Sequence, residues 1–334
     1  MVRVISVLVG ALAVAACGGA ATQRGAEKPA NVEGAALPFK VLRARGGQEV
    51  PWGDFLTEIG AADAVCLGES HSNPHDHWAQ LRILKDALGG KGASTARALG
   101  LEMVQRPFQG VLDDYAAERI TDAEFLQRAG WKERWGFEWS LYRPMVALAR
   151  ERGATLLALN TEKELTKKVS RGGVESLSPE DKASLPELVL NDLDHKAWWD
   201  EIMGDMGGAH GHSKPESESE SEPDAEPEPD AEPESEAPAM PSGDNMYAAQ
   251  VLWDETMAER ASKWLAEPGA PRRQIFILAG NGHCHESAIV RRIERRGVKA
   301  AVSIRPVVDD GQGNVAATLA DPENDYLFVM TPPR

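Results

Sequence analysis

The chain has 334 residues, of which 42% are hydrophobic, and only three cysteines. This length is enough to bury a large core, and so few cysteines exclude a disulfide-rich scaffold as the source of stability. The formal net charge is −16. Residues 213–243 contain eleven acidic residues and one lysine, so this one segment accounts for most of the charge. The rest of the chain carries only about −6, and we expect no nucleic-acid partner.

The N-terminus has the pattern of an export signal. Arg3 is followed by an apolar run over residues 4–16 that is too short to span a bilayer comfortably. Cys17 follows Val-Ala-Ala, which resembles the bacterial lipobox, whose cysteine is acylated; an ordinary signal peptide with an incidental cysteine is the alternative. Gly18 replaces the aspartate that retains enterobacterial lipoproteins in the inner membrane. We expect residues 1–16 to be a signal peptide and Cys17 to be a lipid anchor in the bacterial cell envelope, in the outer membrane facing the periplasm.

Composition divides the mature chain into three kinds of segment. Residues 17–47, rich in Ala and Gly, are predicted to be a flexible tether. Residues 48–334 are predicted to be a single α/β domain. Within it, residues 207–243 are predicted to be a disordered acidic insertion, because Glu, Ser and Pro repeats cannot bury enough surface to offset the entropy of ordering.

Hydrophobic periodicity predicts strands that alternate with helices along the domain. The predicted strands cover residues 63–68, 96–103, 154–160, 274–279, 299–304 and 325–330. The predicted helices cover residues 51–59, 75–88, 105–118, 121–129, 142–152 and 245–266, together with a segment that ends at residue 296. Such alternation is typical of an α/β fold with a mainly parallel sheet flanked by helices. The polar stretch over residues 162–203 adds a helical subregion.

Two motifs of the form Gly-x-x-His follow buried strands. Gly68-Glu69-Ser70-His71 follows the first strand and Gly280-Asn281-Gly282-His283 follows a later one. Glu102 lies at the carboxyl end of a third strand. Because the carboxyl ends of parallel strands form the rim where ligands bind, we expect these side chains to meet at one site.

Two imidazoles and two carboxylates at one rim suit a divalent metal such as Zn²⁺, Mn²⁺ or Fe²⁺. In this hypothesis His71, Glu102 and His283 hold the metal, and Glu69 acts as a general base on a bound water. The spacing matches none of the compact zinc patterns. The alternative is that each histidine is simply a hydrogen-bonded residue of a turn.

Aromatic residues cluster in the segments that connect the rim strands. Trp131, Trp135 and Trp139 occur within nine residues, and Trp253 lies in the long helix near the C-terminal half. Most tryptophans pack in cores, yet a flat apolar slot walled by aromatic rings is what haem requires. The candidate haem-contacting residues are His71, His75, Tyr142 and Trp253, of which His71, His75 and Tyr142 are the candidate axial ligands. The two acids after Trp253 are read either as part of the site or as a solvated helix face.

Cys66 and Cys284 lie next to the two Gly-x-x-His motifs. We expect them to be small buried core residues, and a reversible thiol pair is the alternative.

Six segments occur in an order and spacing that resembles the ChaN-like lipoproteins. They are Gly-Glu-Ser-His followed by His75, Leu-Glu102-Met, the Trp-rich stretch ending in Tyr142-Arg143-Pro144, Leu159-Asn160, Trp253-Asp-Glu-Thr-Met257-Ala-Glu259 and Ala279-Gly-Asn-Gly-His283. The resemblance covers about residues 50–305. The family belongs to a superfamily with the Tiki metalloproteases and the erythromycin esterases. The chain departs from it in the acidic insertion and in Ser287-Ala288-Ile289, where relatives often have Gly-Ile/Val-Pro.

The resemblance implies a lipid-anchored envelope protein that binds haem or iron for uptake, with haem as the suspected cofactor. It also implies an alternative, because Tiki-type members hold a catalytic metal with two Gly-x-x-His motifs and a glutamate. On that alternative the chain is a metal-dependent hydrolase that uses Glu69, His71, Glu102 and His283. Whether the chain is an enzyme, and whether it forms a homodimer, are left open by the sequence.

Overall fold

The strands that lead into the two Gly-x-x-His motifs lie side by side in the middle of one eight-stranded sheet. The computed structural model describes residues 37–89, 94–209, 243–270 and 272–332. The predicted signal peptide, Cys17, which is the predicted site of the lipid anchor, and residues 210–242 of the predicted insertion lie outside the described residues. No helix in the described ranges is long and apolar enough to cross a membrane.

The sheet is mostly parallel, as the sequence predicts. Its strands are β1 (Phe39–Arg43), β2 (Glu49–Val50), β3 (Ala64–Leu67), β4 (Thr95–Gln105), β5 (Thr155–Asn160), β6 (Arg272–Leu278), β7 (Ala301–Val308) and β8 (Tyr326–Met330). They lie in the order β2-β1-β8-β7-β3-β6-β4-β5, and every neighbouring pair from β8 to β5 is parallel. Strand β1 is antiparallel to β8 and β2 at the edge. Strands β3, β6 and β4 are consecutive, so their carboxyl ends form one continuous rim.

Helices cover both faces of the sheet. They are α1 (Trp52–Ala61), α2 (Pro74–Ala87), α3 (Gln109–Ala116), α4 (Asp122–Arg128), α5 (Trp131–Arg134), α6 (Trp139–Arg152), α7 (Lys163–Gly172), α8 (Pro179–Ser184), α9 (Leu193–Ala209), α10 (Gly243–Leu265), α11 (Arg291–Arg295) and α12 (Asn314–Ala320). Helices α1 to α6 pack with one set of strand residues, and α10 and α11 pack with the alternate set. Buried strand residues on both faces explain why the predicted strands are continuously apolar.

The prediction of a flexible tether over residues 17–47 is wrong for residues 39–43. These residues form strand β1 and pair with β8. The ring of Phe39 stacks on Phe328 with centroids 4.7 Å apart and meets Trp52 edge-on at 5.1 Å. The Ala- and Gly-rich composition of the segment indicates flexibility. The strand is nevertheless ordered, because Phe39 packs against aromatic residues that are distant in sequence.

The Trp-rich stretch does not form a single helix with one tryptophan face. Helix α5 ends at Arg134, Gly136 adopts a positive φ of 88°, and α6 begins at Trp139. A left-handed conformation suits glycine and breaks the helix there. Helix α4 begins with a capping box, since the Thr121 side chain and Glu124 form both reciprocal hydrogen bonds.

Cys66 and Cys284 are buried, as expected, but they are joined in a disulfide instead of packing as separate thiols. Their Cα atoms lie 5.4 Å apart, although 218 positions separate them in sequence. The short distance arises because Cys66 lies in β3 and Cys284 follows the turn after the neighbouring strand β6.

Candidate functional site

The two Gly-x-x-His turns contact each other directly at the carboxyl ends of β3 and β6. The backbone N–H of Asn281 donates to the carbonyl oxygen of Glu69 over 2.8 Å. A Cβ atom on Gly68 would overlap the side-chain oxygen of Asn281. Glycine at position 68 therefore allows the two turns to approach closely.

Glu69 lies beneath His71 and is only 2% exposed. Its Oε1 accepts hydrogen bonds of 2.8 Å from Nδ1 of His71 and 2.8 Å from the hydroxyl of Tyr142. Its Oε2 accepts from the side-chain amide of Gln80 over 3.0 Å, and Nδ1 of His77 lies 3.4 Å away. Burial raises the pKa of Glu69, but these imidazoles outweigh burial and bring the pKa below its ordinary value. Glu69 is thus a carboxylate that orients its neighbours.

His71 presents the most open imidazole of the rim, with 30% of its side chain exposed. Its ring lies edge-on to Trp135, with centroids 4.6 Å apart, and 4.9 Å from Phe137. Its other side lies over Gly280, where a Cβ atom would come within 2.8 Å of Cε1 and 3.2 Å of Nε2. Burial lowers the pKa of His71, but the Glu69 hydrogen bond and the nearby Glu102 charge raise it overall. The fixed Nδ1–H leaves Nε2 as the atom that can bind a ligand.

Glu102 lies between the two histidines. Its Oε2 accepts a 2.6 Å hydrogen bond from the backbone N–H of Gly280, and its Oε1 lies 3.4 Å from Nε2 of His283. Glu102 is 4% exposed, so the carboxylate is held within the rim and not in bulk water.

His283 is held by a second buried carboxylate, Asp254 of α10. Nδ1 of His283 lies 2.6 Å from Oδ1 of Asp254, which is fully buried. Burial lowers the pKa of His283, but the carboxylates of Glu102 and Asp254 raise it to about 9. Each rim histidine therefore has its Nδ1 atom beside a buried carboxylate, and the charge of Glu102 acts on both rings.

Two further buried groups, His195 and Arg292, support Asp254. Nε2 of His195 lies 3.2 Å from Oδ2 of Asp254, and a guanidinium nitrogen of Arg292 lies 3.8 Å from the same oxygen. Burial raises the pKa of Asp254, but the charges of Arg292 and His283 hold it well below its usual range. Arg292 also contacts Glu255, with 3.3 Å between Nε and Oε1. Both acids are fully buried, which excludes the solvated-face interpretation of this helix segment.

A cleft of about 390 Å³ opens above these residues. Its walls include His71 and His283 from the turns, and Trp198, Trp199 and Ile202 from α9. Arg305 and Glu323 also line it and form an ion pair of 2.9 Å. The cleft thus combines an open imidazole with aromatic and aliphatic walls and a cationic side chain.

The three other residues expected from the sequence to contact haem differ in their burial and in their position relative to the cleft. Tyr142 is fully buried, and burial beside Glu69 raises the pKa of its phenol above the ordinary value. His75 lies in the first turn of α2 and is not part of the cleft wall. The ring of Trp253 lies edge-on to His283, with centroids 5.8 Å apart.

The predicted metal ligands converge without forming a metal-binding geometry. Among the residues that the structure describes, no group of three or more His, Cys, Asp or Glu side chains is arranged to hold a metal ion. His71, Glu102 and His283 are adjacent, and Nδ1 of each histidine is bonded to a carboxylate, so Nε2 is the atom of each ring that a ligand could reach.

Sequence reasoning missed the partners of Glu69 and Asp254, the two carboxylates that hold the histidines. Gln80, His195 and Arg292 belong to none of the motifs that predicted the site. The fold brings them close to it in space. The signal that the sequence offered was the Trp253-Asp-Glu segment, in which two adjacent acids follow a tryptophan in the long helix α10.

Comparison with known proteins identifies a family for this chain. Residues 55–293 match the family model described as haem-binding uptake, Tiki superfamily, ChaN. No curated protein matches the chain.

One solved structure with a TM-score above 0.5 shares the fold at low sequence identity, and two others match with lower scores. The structure described as cofacial heme binding to ChaN of Campylobacter jejuni has a TM-score of 0.60 and 16% identity, and the match covers 88% of this chain and 97% of that chain. The type III effector HopBA1 has a TM-score of 0.39 at 10% identity, covering 89% and 98%. A mutant of erythromycin esterase EreC in its open conformation has a TM-score of 0.41 at 11% identity, covering 89% and 83%. The family match spans well over half of the sequence, and the chain therefore belongs to the ChaN family of haem-binding uptake proteins in the Tiki superfamily.

Proposed function

We propose that the chain binds haem in the rim cleft, with Nε2 of His71 as the ligand of the iron. The observation that carries this proposal is the His71–Glu69 pair. The buried carboxylate fixes the Nδ1–H atom of an imidazole that is 30% exposed and flanked by Trp135 and Phe137. A histidine whose second nitrogen donates to a carboxylate is a well-oriented and basic iron ligand.

The remaining residues of the cleft fit a haem group chemically. The rings of Trp198 and Trp199 and the side chain of Ile202 offer apolar walls, and Arg305 offers a charge for a propionate. Bound haem would supply iron for transfer and not a reaction. Glu69 would hold His71 in one tautomer, and the aromatic residues would exclude water from the iron face.

A haem titration tests this proposal. The soluble Cys17→Ser protein is titrated with ferric haem and followed by visible absorbance, beside His71→Ala and His75→Ala. We expect a saturating Soret shift that His71→Ala weakens and that His75→Ala leaves unchanged. A titration of the parent protein that does not saturate would contradict the proposal of haem binding. A Soret shift that is lost only in His75→Ala would assign the iron ligand to α2.

We further propose that haem or iron is bound for uptake at the outer membrane, facing the periplasm, with Cys17 as the lipid anchor. The lipobox-like sequence supports the anchor, and the family description supports uptake. Mass spectrometry of the mature N-terminus, together with membrane fractionation of Cys17→Ser, tests the anchor. Release of the variant into the soluble periplasm is expected; an unmodified Cys17 in the parent would contradict it.

A homodimer with cofacial haems is proposed on the model of the Campylobacter jejuni protein, whose description states cofacial binding. Sedimentation velocity with and without haem, combined with haem stoichiometry per chain, tests this point. A haem-loaded monomer would contradict it.

The hydrolase remains a second candidate because of one observation, the Asp254–His283–Glu102 array. An imidazole whose pKa is raised to about 9 between two carboxylates can donate a proton to a leaving group. A bound divalent metal would polarise a carbonyl and activate water. Ester and peptide substrates tested with Zn²⁺, Mn²⁺ or Fe²⁺, beside Glu69→Gln, Glu102→Gln and His283→Ala, decide the question. Turnover that persists in all three variants would exclude this site as the catalytic centre.

A further inference from the structure

The disulfide joins the two halves of the candidate site at a specific place. Cys66 lies in β3, two residues before Gly68, and Cys284 directly follows His283. Both sulfur-bearing residues are buried, at 2% and 0% exposure. The bond therefore connects the strand that leads to His71 with the turn that carries His283.

Hydrogen bonds also restrain the His283 turn: the Gly280 N–H donates to Glu102 over 2.6 Å, and the side-chain amide of Gln250 donates to the Gly282 carbonyl over 3.0 Å. The Cys284 N–H donates to the carbonyl of Gly280 over 3.0 Å, inside the same turn, and Asn281 N–H donates to Glu69 O over 2.8 Å. The side-chain amide of Asn324 donates to the Cys284 carbonyl over 2.5 Å. Next to the turn, Glu286 to Val290 forms a single π-helical turn with a non-helical Ala288. A regular helix does not start until Arg291, and the disulfide is the covalent link that ties this turn to β3.

We propose that the Cys66–Cys284 disulfide is a positioning link that fixes His283 against Glu102 and His71, so that oxidation of the two thiols completes the binding site. This inference rests on the proposed haem function. In the oxidation step, each sulfur loses one proton and one electron as the S–S bond forms. A protein disulfide of the thiol oxidoreductase class accepts the two electrons and two protons and becomes a dithiol.

The disulfide would also determine when the chain becomes able to bind haem. Disulfides form in exported proteins and are rare in the cytosol. The chain would therefore acquire its full affinity for haem only after export, and newly made chains in the cytosol would not compete for haem. Because both cysteines are buried, the folded protein would keep the bond once it has formed.

The test compares variants and avoids reducing agents, since a thiol reductant also reduces ferric haem. In the Cys17→Ser background we would measure the haem Kd of the parent, Cys66→Ala/Cys284→Ala and Cys66→Val/Cys284→Ala. The valine variant fills the space beside Ile277 and separates the lost bond from a cavity. Thiol titration of the unfolded parent should find no free thiol. Both paired variants should bind haem about 10- to 100-fold more weakly, the usual effect of losing a group that orients a ligand.

A double-mutant cycle distinguishes positioning from general stability. Removing the disulfide in a His283→Ala background should produce little further loss of affinity, since the group that it positions is already absent. Val65→Ala serves as the matched control, because Val65 is the neighbour of Cys66 in β3 and packs on the opposite face of the sheet. This control should lower thermal stability without changing the Kd. Additive effects with His283→Ala, or two free thiols in the parent, would overturn the inference.

Amide hydrogen exchange separates failure of this inference from failure of the proposed function. If the parent does not bind haem, the proposed function fails, yet the positioning claim is still decided by exchange. Loss of the disulfide should accelerate exchange at Asn281, His283 and Cys284 and leave the amides of β6 protected. Unchanged exchange at these three amides would overturn it.

Discussion

Nδ1 of His283 lies 2.6 Å from the carboxylate of Asp254, a residue 29 positions earlier in the chain and fully buried in α10. A second histidine, His195, contacts the other oxygen of the same carboxylate at 3.2 Å. An ionised acid at this depth is stable only because His283, His195 and Arg292 surround it. The protonation of His283 thus depends on a residue that never reaches the cleft.

Asp254→Asn keeps the side-chain volume and removes the charge. We expect the pKa of His283 to fall from about 9 towards or below its ordinary value, measured by NMR titration of the imidazole. The free energy of unfolding should fall by about 3–5 kcal/mol, because Arg292 would lose a buried partner. Asp200→Asn, which breaks an exposed pair with Lys196, should cost about 0–1 kcal/mol. An unchanged His283 pKa would contradict the assignment.

Gly280→Ala tests the close packing of His71. The new Cβ atom would lie 2.8 Å from Cε1 of the ring, so the imidazole must shift. Overpacking of this kind costs about 1–3 kcal/mol and should weaken haem binding. Gly282→Ala is the matched control in the same turn, since its Cβ atom would meet Trp198 at an ordinary 3.6 Å. Urea unfolding and haem titration of both variants measure the difference, and equal effects would show that the His71 contact is unimportant.

Tyr142→Phe separates a structural phenol from an axial ligand. The hydroxyl donates to Glu69 over 2.8 Å and the residue is fully buried, so we expect it to support the carboxylate only. Its removal should cost about 1 kcal/mol in unfolding free energy and leave the Soret maximum in place. A shifted maximum, with loss of the band typical of tyrosinate coordination, would assign the iron ligand to Tyr142 instead.

The buried imidazole of His285 makes the free energy of unfolding depend on pH. Burial lowers its pKa to about 3, so the folded protein keeps this imidazole neutral while the unfolded chain takes up a proton near pH 6.5. The unfolded state binds more protons between these values, so stability is retained above pH 6.5 and lost as pH falls towards 3. The slope from this one group reaches about 1.4 kcal/mol per pH unit.

Urea unfolding of the parent and of His285→Gln between pH 4 and pH 8 measures this slope. The variant should lose less stability on acidification than the parent, although it starts from a lower value at pH 8. Parallel profiles would show that His285 is not the group responsible.

The strand-and-motif pattern determined a large part of the fold and the outline of the site. Continuous apolar runs predicted β3, β4, β5 and β6, and the Gly-x-x-His motifs predicted which residues stand at their carboxyl ends. The prediction succeeds because parallel neighbours share one rim, so local position along each strand is enough to bring Glu69, His71, Glu102 and His283 together. The resemblance to the ChaN family rests on the same positions, and the family match confirms it.

Only the tertiary structure decided which groups act on one another. Asp254 is equally compatible in sequence with a solvated helix face, and burial against Arg292 depends on how α10 and α11 pack. Phe39 falls within the predicted tether. The local sequence does not indicate its packing, because its partner Phe328 lies almost three hundred residues away. The charge state of a buried group and the partner of a cysteine are set by atoms that are close in space and distant in sequence. Local propensity does not determine such pairings, since their free energy comes from the removal of water around groups that the fold brings together.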